Sequence, residues 1–140
     1  MSEENNDQLR TAINAIEAGY EFMLAYAAQG RDFEYTGGGG GPAIRPYLQD
    51  LIEGLGTVAD HLENAINDQV ENDKDAFLSF VSVLRVDAEK SEKAVKMVLA
   101  LPSIGSQVID NLNASIHLRA LLTDIFLIDE AIMSLSRKEQ

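Results

Sequence analysis

The feature that most constrains the fold of this chain is a regular spacing of apolar residues in its last third. Steps of four and three residues alternate there, through Ala114, Leu118, Leu121, Ile125, Ile128, Ile132 and Leu135. Such steps place side chains on one stripe of an α-helix, and they are typical of helices packed side by side in bundles. The pattern predicts one long helix, with its cap at Ser103 or Ser106.

Three earlier segments carry stripes of a similar kind. The first helix is predicted over residues 7–29, after a disordered start over 1–6. The second is predicted over 42–70, with its start at the first or second of two prolines, because proline fits the first turn of a helix. The third begins near Asp73 and ends before Pro102, because the residue before a proline avoids the helical region.

The helices have similar lengths, and the turns near residues 70–73 and 102–106 are short, so neighbouring helices must run antiparallel. No segment shows the alternation of apolar and polar residues that predicts a strand. We expect one all-α domain over residues 1–140, an up-down-up-down four-helix bundle with a Gly-rich loop at 30–42 between helices 1 and 2. The alternative is a pair of long hairpins that a second copy of the chain completes.

The Gly-rich loop holds five consecutive glycines, Gly37, Gly38, Gly39, Gly40 and Gly41. A loop of this kind before a helix can bind an anion through backbone N–H groups, and Arg45 would lie in the first turn. The sequence after the glycines is Pro42-Ala43, however, whereas a phosphate loop requires Lys followed by Ser or Thr. We therefore favour a flexible or partner-contacting loop over an anion site.

Two more glycines, Gly54 and Gly56, lie inside the second predicted helix. Each costs on the order of 1 kcal/mol against alanine in a helix interior. Close packing against a neighbouring helix and a local bend both explain them, and we favour close packing. A small-molecule pocket near these glycines is a weaker possibility.

Polar residues interrupt the stripe of the last helix at intervals of seven, at Asp110, His117 and Asp124. The phase of the helix places His117 towards the core, so we expect it to be buried and paired with a carboxylate. The spacing puts neighbours in this series about 10 Å apart, so the partner must come from another helix. Glu17 and Glu21 are the nearest candidates.

Histidine and carboxylates inside a bundle are also the material of a metal site. In architecture the predicted bundle resembles the ferritin-like proteins, but it lacks their Glu-x-x-His motif, since Ala114 and Val58 occupy the position three before the two histidines. A site for iron or another divalent metal, formed by Glu17, Glu21 and His117, is therefore the alternative interpretation. The other histidine, His61, is expected to be solvated.

Apolar residues outside the main stripes indicate a surface for association. The first helix contributes Phe22 and Tyr26, and the last helix contributes Leu122, Phe126 and Met133. We expect the chain to self-associate through the last helix, together with the first.

Composition restricts the function classes. The net charge of −12 opposes binding to nucleic acid or to an anionic membrane surface, and the cluster of three lysines from Lys90 to Lys96 is interpreted as a solvated helix face because glutamates lie among them. The chain contains no cysteine, which excludes disulfides and thiolate metal sites. It shows no membrane span and no apolar signal segment, so we expect a cytoplasmic protein.

No catalytic residue and no cofactor can be named from these patterns. The leading hypothesis is a non-enzymatic helical bundle that acts through protein–protein contact, as a homodimer or as an accessory or adaptor protein. A metal-binding, ferritin-like bundle with a site near His117 is the alternative from a different class.

Overall fold

The computed structural model describes residues 2–34 and 43–138, with side chains at 3–34 and 43–135. In this part of the chain the helices are joined by turns and short irregular segments, and there is no strand. The described residues form five helices: α1 (Ser2–Ala28), α2 (Ile44–Gln69), α3 (Lys74–Leu99), α4 (Ser106–Ile116) and α5 (Leu118–Lys138). The all-α prediction is confirmed, and Gly37–Gly41 lie outside the described residues.

The first helix begins earlier than the sequence predicted. Residues 2–6, expected to be disordered, belong to α1. The Asn5 side chain is buried against α2, where its Nδ2 donates a hydrogen bond to the His61 carbonyl (3.1 Å) and its Oδ1 lies 3.3 Å from His61 Nδ1. These contacts hold the first turn of α1 in place, and they make His61 a partly buried, paired residue rather than a solvated one.

The helices surround one apolar core. α1 packs along α2, and α2 packs along α3, while both α4 and α5 contact α1 and α3. Every helix contributes fully buried aliphatic side chains, such as Ile13, Leu51, Leu84, Ile109 and Ile125. The last two helices therefore lie beside the first and third helices and cover the core from the remaining side.

Of the two glycines of α2, Gly54 is close-packed, as predicted, whereas Gly56 is exposed. A Cβ atom added to Gly54 would lie 2.8 Å from the carbonyl oxygen of Ala12, so the missing side chain lets the α1 and α2 backbones approach each other. A Cβ on Gly56 would lie 3.3 Å from Oε2 of Glu92 on α3. Close packing offsets the low helix propensity of Gly54.

The prediction of one continuous last helix is wrong, because the chain breaks at His117. This residue adopts the left-handed conformation (φ 51°, ψ 49°). Its N–H donates to the Asn113 carbonyl (3.3 Å), and its own carbonyl accepts from the Leu121 N–H (3.1 Å), so α4 ends and α5 starts at this point. The predicted stripe holds along α5, but its first member, Ala114, is exposed.

The break follows from a change in the phase of the buried residues. Along α4 these are Ile109, Leu112 and Ile116, and along α5 they continue from Leu118 to Leu121. The step of two residues from 116 to 118 would turn a continuous helix by about 200°, which would carry one of the two stripes out of the core. A left-handed residue at His117 lets both stripes face the same core.

Side chains of α3 lie against the carbonyl groups that the break exposes, and one of them donates a hydrogen bond there. Lys90 Nζ donates to the Ser115 carbonyl (3.2 Å), and the buried Ser91 hydroxyl lies 3.5 Å from the Ile116 carbonyl. The end of a helix leaves such carbonyls without intrahelical partners. The break is therefore supported from a neighbouring helix.

Candidate functional site

Only part of the association surface predicted from sequence is on the surface. Phe126 (43% exposed) and Met133 (47% exposed) lie seven residues apart on one side of α5. Tyr26 and Leu122 are buried, and Phe22 is half-buried with its ring stacked on Tyr47 at a centroid distance of 4.0 Å. The exposed apolar part of the predicted surface is therefore confined to α5.

Phe126 lines a shallow groove between α1 and α5, with a volume of about 210 Å³. Glu17, Tyr20 and Glu21 line it from α1, and Arg119 lines it from α5. The two glutamates that were candidate partners of His117 therefore lie beside Phe126 and Arg119. We name this surface, with Met133, the α1–α5 face. It combines an exposed aromatic ring with charges of both signs.

His117 is exposed rather than buried, so its predicted burial is wrong. The reason is the left-handed backbone at the break, which points its side chain away from the core-facing stripe. Among the described residues no three histidine or acidic side chains form a group that could hold a metal ion. Glu17, Glu21 and His117 all belong to that part of the chain, so the metal interpretation loses its proposed ligand set.

Asp124, one heptad after His117, is the carboxylate of this region with a shifted pKa. Partial burial raises the pKa of Asp124, and the negative charge of Asp87 on α3 raises it further. Asp110 is exposed on α4. The three residues of the predicted polar series therefore have separate environments.

Arg45, the cation proposed for the anion-binding loop, takes part in an ion pair with Glu34. Its Nε lies 2.8 Å from Glu34 Oε2, and the Glu34 side chain is only 5% exposed. The guanidinium also donates to the carbonyls of Leu99 (2.9 Å) and Leu101 (2.7 Å). Arg45 thus joins the start of α2 to the segment after α3. The anion site stays a prediction, since its five glycines lie outside the described residues.

Tyr26 anchors the same end of the molecule instead of forming a surface. Its hydroxyl donates to the Ile104 carbonyl, and its own carbonyl accepts from the Ser106 hydroxyl at 2.7 Å. Burial raises the pKa of the Tyr26 hydroxyl, and the charge of Glu34 raises it further. The Arg31 N–H donates to Ser106 Oγ (2.7 Å), so this contact connects the segment after α1 to the start of α4.

A larger groove, of about 540 Å³, runs along the outer side of α1 and α2. Its floor consists of small residues, Ala12, Ala15 and Gly54, and its walls carry the carboxylates of Asp7, Asp50 and Glu53. We name this feature the α1–α2 groove. Gly54 lines it as the weaker sequence hypothesis suggested, whereas Gly56 packs towards α3.

Sequence reasoning missed an exposed apolar stripe on α3. Val86 is 66% exposed and Met97 is 67% exposed, and Lys90 and Lys93 lie between them at steps of four, three and four. We name these four residues the α3 ridge. The signal was present in the spacing, but the lysines were interpreted only as part of a solvated face.

Comparison of the chain with protein-family models, curated proteins and solved structures gave no match. Within residues 2–34 and 43–138, no helix has an apolar stretch long enough to cross a membrane. The candidate functional features are therefore the exposed surfaces themselves: the α1–α5 face, the α1–α2 groove and the α3 ridge.

Proposed function

We propose that this protein is a non-enzymatic helical bundle that acts through protein–protein contact at its α1–α5 face. In this proposal α4 and α5 together form the fourth rod of an up-down-up-down bundle, and a second copy of the chain is the first partner. An accessory role, in which a different protein occupies the same face, is the related possibility. The proposed location is the cytoplasm. A chain without cysteine forms no disulfide, so it does not depend on an oxidising compartment.

The observation that supports the proposal is the pair of exposed residues Phe126 and Met133 on one side of α5. Large apolar side chains that lie together on a surface are typical of association sites, and aromatic residues and methionine are enriched in interfaces. Phe126 also lines a groove, so its ring borders a concave surface in which a partner side chain would fit.

The charges of this face are compatible with a two-fold dimer. Such a dimer brings the same patch of each copy together. If one residue of the first copy contacts a different residue of the second copy, the symmetry repeats that contact with the two copies exchanged. Arg119 borders the groove from α5, and Glu17 and Glu21 border it from α1. Pairing of Arg119 with the partner copy's glutamates would therefore occur twice in one interface.

Two groups with shifted pKa values, Arg85 and Tyr26, serve the fold, which fits a binding protein better than an acid–base catalyst. A hydrogen bond to Asp60 raises the pKa of Arg85. The ion pair between these two residues joins α3 to α2. Tyr26 anchors α4, and Asp124 faces Asp87 across the helices α3 and α5. Perturbed groups can also mark catalysis, but Arg85 pairs with Asp60 and Tyr26 with the Ile104 carbonyl, so both have structural partners.

Analytical ultracentrifugation of wild type and Phe126→Glu tests the proposal. We expect the wild type to sediment as a dimer at concentrations of about 100 μM, and Phe126→Glu to sediment as a monomer, because the interface would have to bury an unpaired charge. Leu127→Glu is the matched control: Leu127 is exposed and adjacent, but it lies about 100° away around α5. It should stay dimeric.

A monomeric wild type at that concentration would reject the homodimer. Loss of the dimer in both variants would show that the contact is not confined to the Phe126 side of α5. Circular dichroism of all three proteins confirms that any change in mass occurs in a folded chain.

A further inference from the structure

The α1–α2 groove and the α3 ridge are complementary in shape. The floor of the groove is made of Ala12, Ala15 and Gly54, and a side chain on Gly54 would collide with the α1 backbone. Small residues let an incoming side chain come close to the helix backbones. The ridge offers the long side chains of Lys93 and Met97, and the shorter side chain of Val86 is exposed beside them. Packing of ridges into grooves is the usual geometry of helix contact.

The lengths of the two features match. Along α2 the groove is lined from Asp50 to His61, and along α3 the ridge runs from Val86 to Met97. Each of these spans corresponds to about 16 Å of helix at 1.5 Å per residue. A helix that carries the ridge would therefore occupy the groove along its whole lined length.

The charges are complementary as well. Asp7 borders the groove from α1, and Asp50 and Glu53 border it from α2, and no lysine or arginine is among the groove's lining residues. In the ridge, Lys90 Nζ donates to the Ser115 carbonyl, while Lys93 is exposed and forms no ion pair with the described carboxylates. Lys93 is therefore the cation that could pair with the walls of the groove.

We infer that the α3 ridge of one copy of this chain docks into the α1–α2 groove of another copy. Two copies repel at long range because each carries a net charge of −12. At physiological ionic strength, however, charges more than about 8 Å apart are largely screened, so contacts between Lys93 and the groove carboxylates decide the local energy. Burial of Val86 and Met97 adds the apolar contribution.

We infer that this contact is heterologous: the ridge of one copy meets the groove of a second copy, whose own ridge meets the groove of a third. The ridge lies on α3 and the groove on α1 and α2, which lets one chain use both surfaces with two neighbours. Heterologous contacts form rings or open chains rather than a closed dimer. The contact is independent of the α1–α5 face, so either can be absent without the other.

The test uses Phe126→Glu as background, which removes the α1–α5 contact proposed above. A ridge variant adds Val86→Asp and Lys93→Glu, and a groove variant adds Asp50→Lys and Glu53→Lys. Light scattering and sedimentation measure the mass of each protein up to about 1 mM, a range that covers weak contacts. We expect the background protein to associate beyond a dimer, and each variant alone to be monomeric.

Mixing the two variants provides the decisive measurement. The ridge variant keeps an intact groove, and the groove variant keeps an intact ridge, so an equimolar mixture should associate to at least a 1:1 dimer with twice the monomer mass. A general loss of folding or a general charge effect would not restore association in the mixture. If a variant loses helicity, Lys93→Glu or Glu53→Lys alone replaces it.

A control for net charge carries Asp68→Lys and Glu71→Lys in the Phe126→Glu background. These two lysines lie outside both the ridge and the groove. Both residues are exposed near the end of α2, and the change in net charge equals that of the groove variant. This control should associate as the background does. The inference is overturned if the background is monomeric throughout, if either variant still associates, or if the mixture of variants stays monomeric.

Discussion

Substitution of His117 by glycine should stabilise the protein, and the sign of this effect tests the helix break directly. A left-handed backbone costs a non-glycine residue roughly 1–2 kcal/mol, and histidine belongs at the lower end because it tolerates this region better than most residues. Glycine removes this cost but adds flexibility to the unfolded chain, which opposes folding by roughly 0.5–1 kcal/mol. The net gain in the free energy of unfolding is therefore up to about 0.5 kcal/mol.

Since His117 is exposed, the substitution removes no core packing. A gain of this size raises Tm by about 1–2 °C in a domain of this length, which differential scanning calorimetry resolves. His117→Ala is the matched control, because alanine keeps a Cβ atom in the left-handed conformation and should not stabilise the protein.

A continuous helix would give the opposite pair of results. Inside a helix, glycine is worse than histidine by a few tenths of a kcal/mol, while alanine is better than histidine by roughly half a kcal/mol. Stabilisation by alanine together with destabilisation by glycine would therefore refute the break at His117.

Three further predictions concern the packing and the charges. Arg45→Met leaves the nearly buried Glu34 without its cation; it should lower the free energy of unfolding in urea by about 3 kcal/mol, and a loss below about 1 kcal/mol would show that the pair is not structural. Gly54→Ala should destabilise by roughly 1–3 kcal/mol because its Cβ would meet the α1 backbone. Gly56→Ala, which meets only the end of the Glu92 side chain, should stabilise by up to about 1 kcal/mol through helix propensity, and equal effects at the two sites would contradict the packing described. Asp124→Asn should stabilise at pH 7, because the raised pKa of Asp124 means that its ionised form is disfavoured in the fold; protonation relieves this cost, so the gain should fade as the pH drops through the raised pKa and vanish below the ordinary value of 3.8. Thermal melts between pH 3 and pH 8 measure this difference, and a gain that persists at pH 3 would argue for a cause other than charge.

The exposed residues show how far helical phase predicts a surface. Phe126 and Met133 lie off the main stripe of α5, and their exposure follows from that phase. Tyr26 and Leu122 also lie off the predicted stripes, yet both are buried, because α1 and α5 each pack against three other helices. Phase gives the direction of a side chain, but the number of neighbouring helices decides whether water reaches it.

The α3 ridge and the ion pair between Arg45 and Glu34 illustrate what sequence patterns leave undetermined. The spacing places Val86 and Met97 on the same face as Lys90 and Lys93, but only the tertiary structure decides that no other described helix covers the two apolar side chains. The pairing of Arg45 with Glu34 joins residues across a connection whose path no local pattern specifies. Both features depend on which elements meet in space.

The sequence by itself determined that the chain is helical and where most of its helices lie. Prolines and regular apolar stripes act within a few residues, so they placed α2 and α3 within a few residues of their observed ends. The tertiary structure decided where the last helix breaks. The step from Ile116 to Leu118 was visible in the sequence as an excess of apolar residues. His117 becomes left-handed because both stripes must face one core, and because Lys90 and Ser91 of α3 reach the carbonyls at the end of α4.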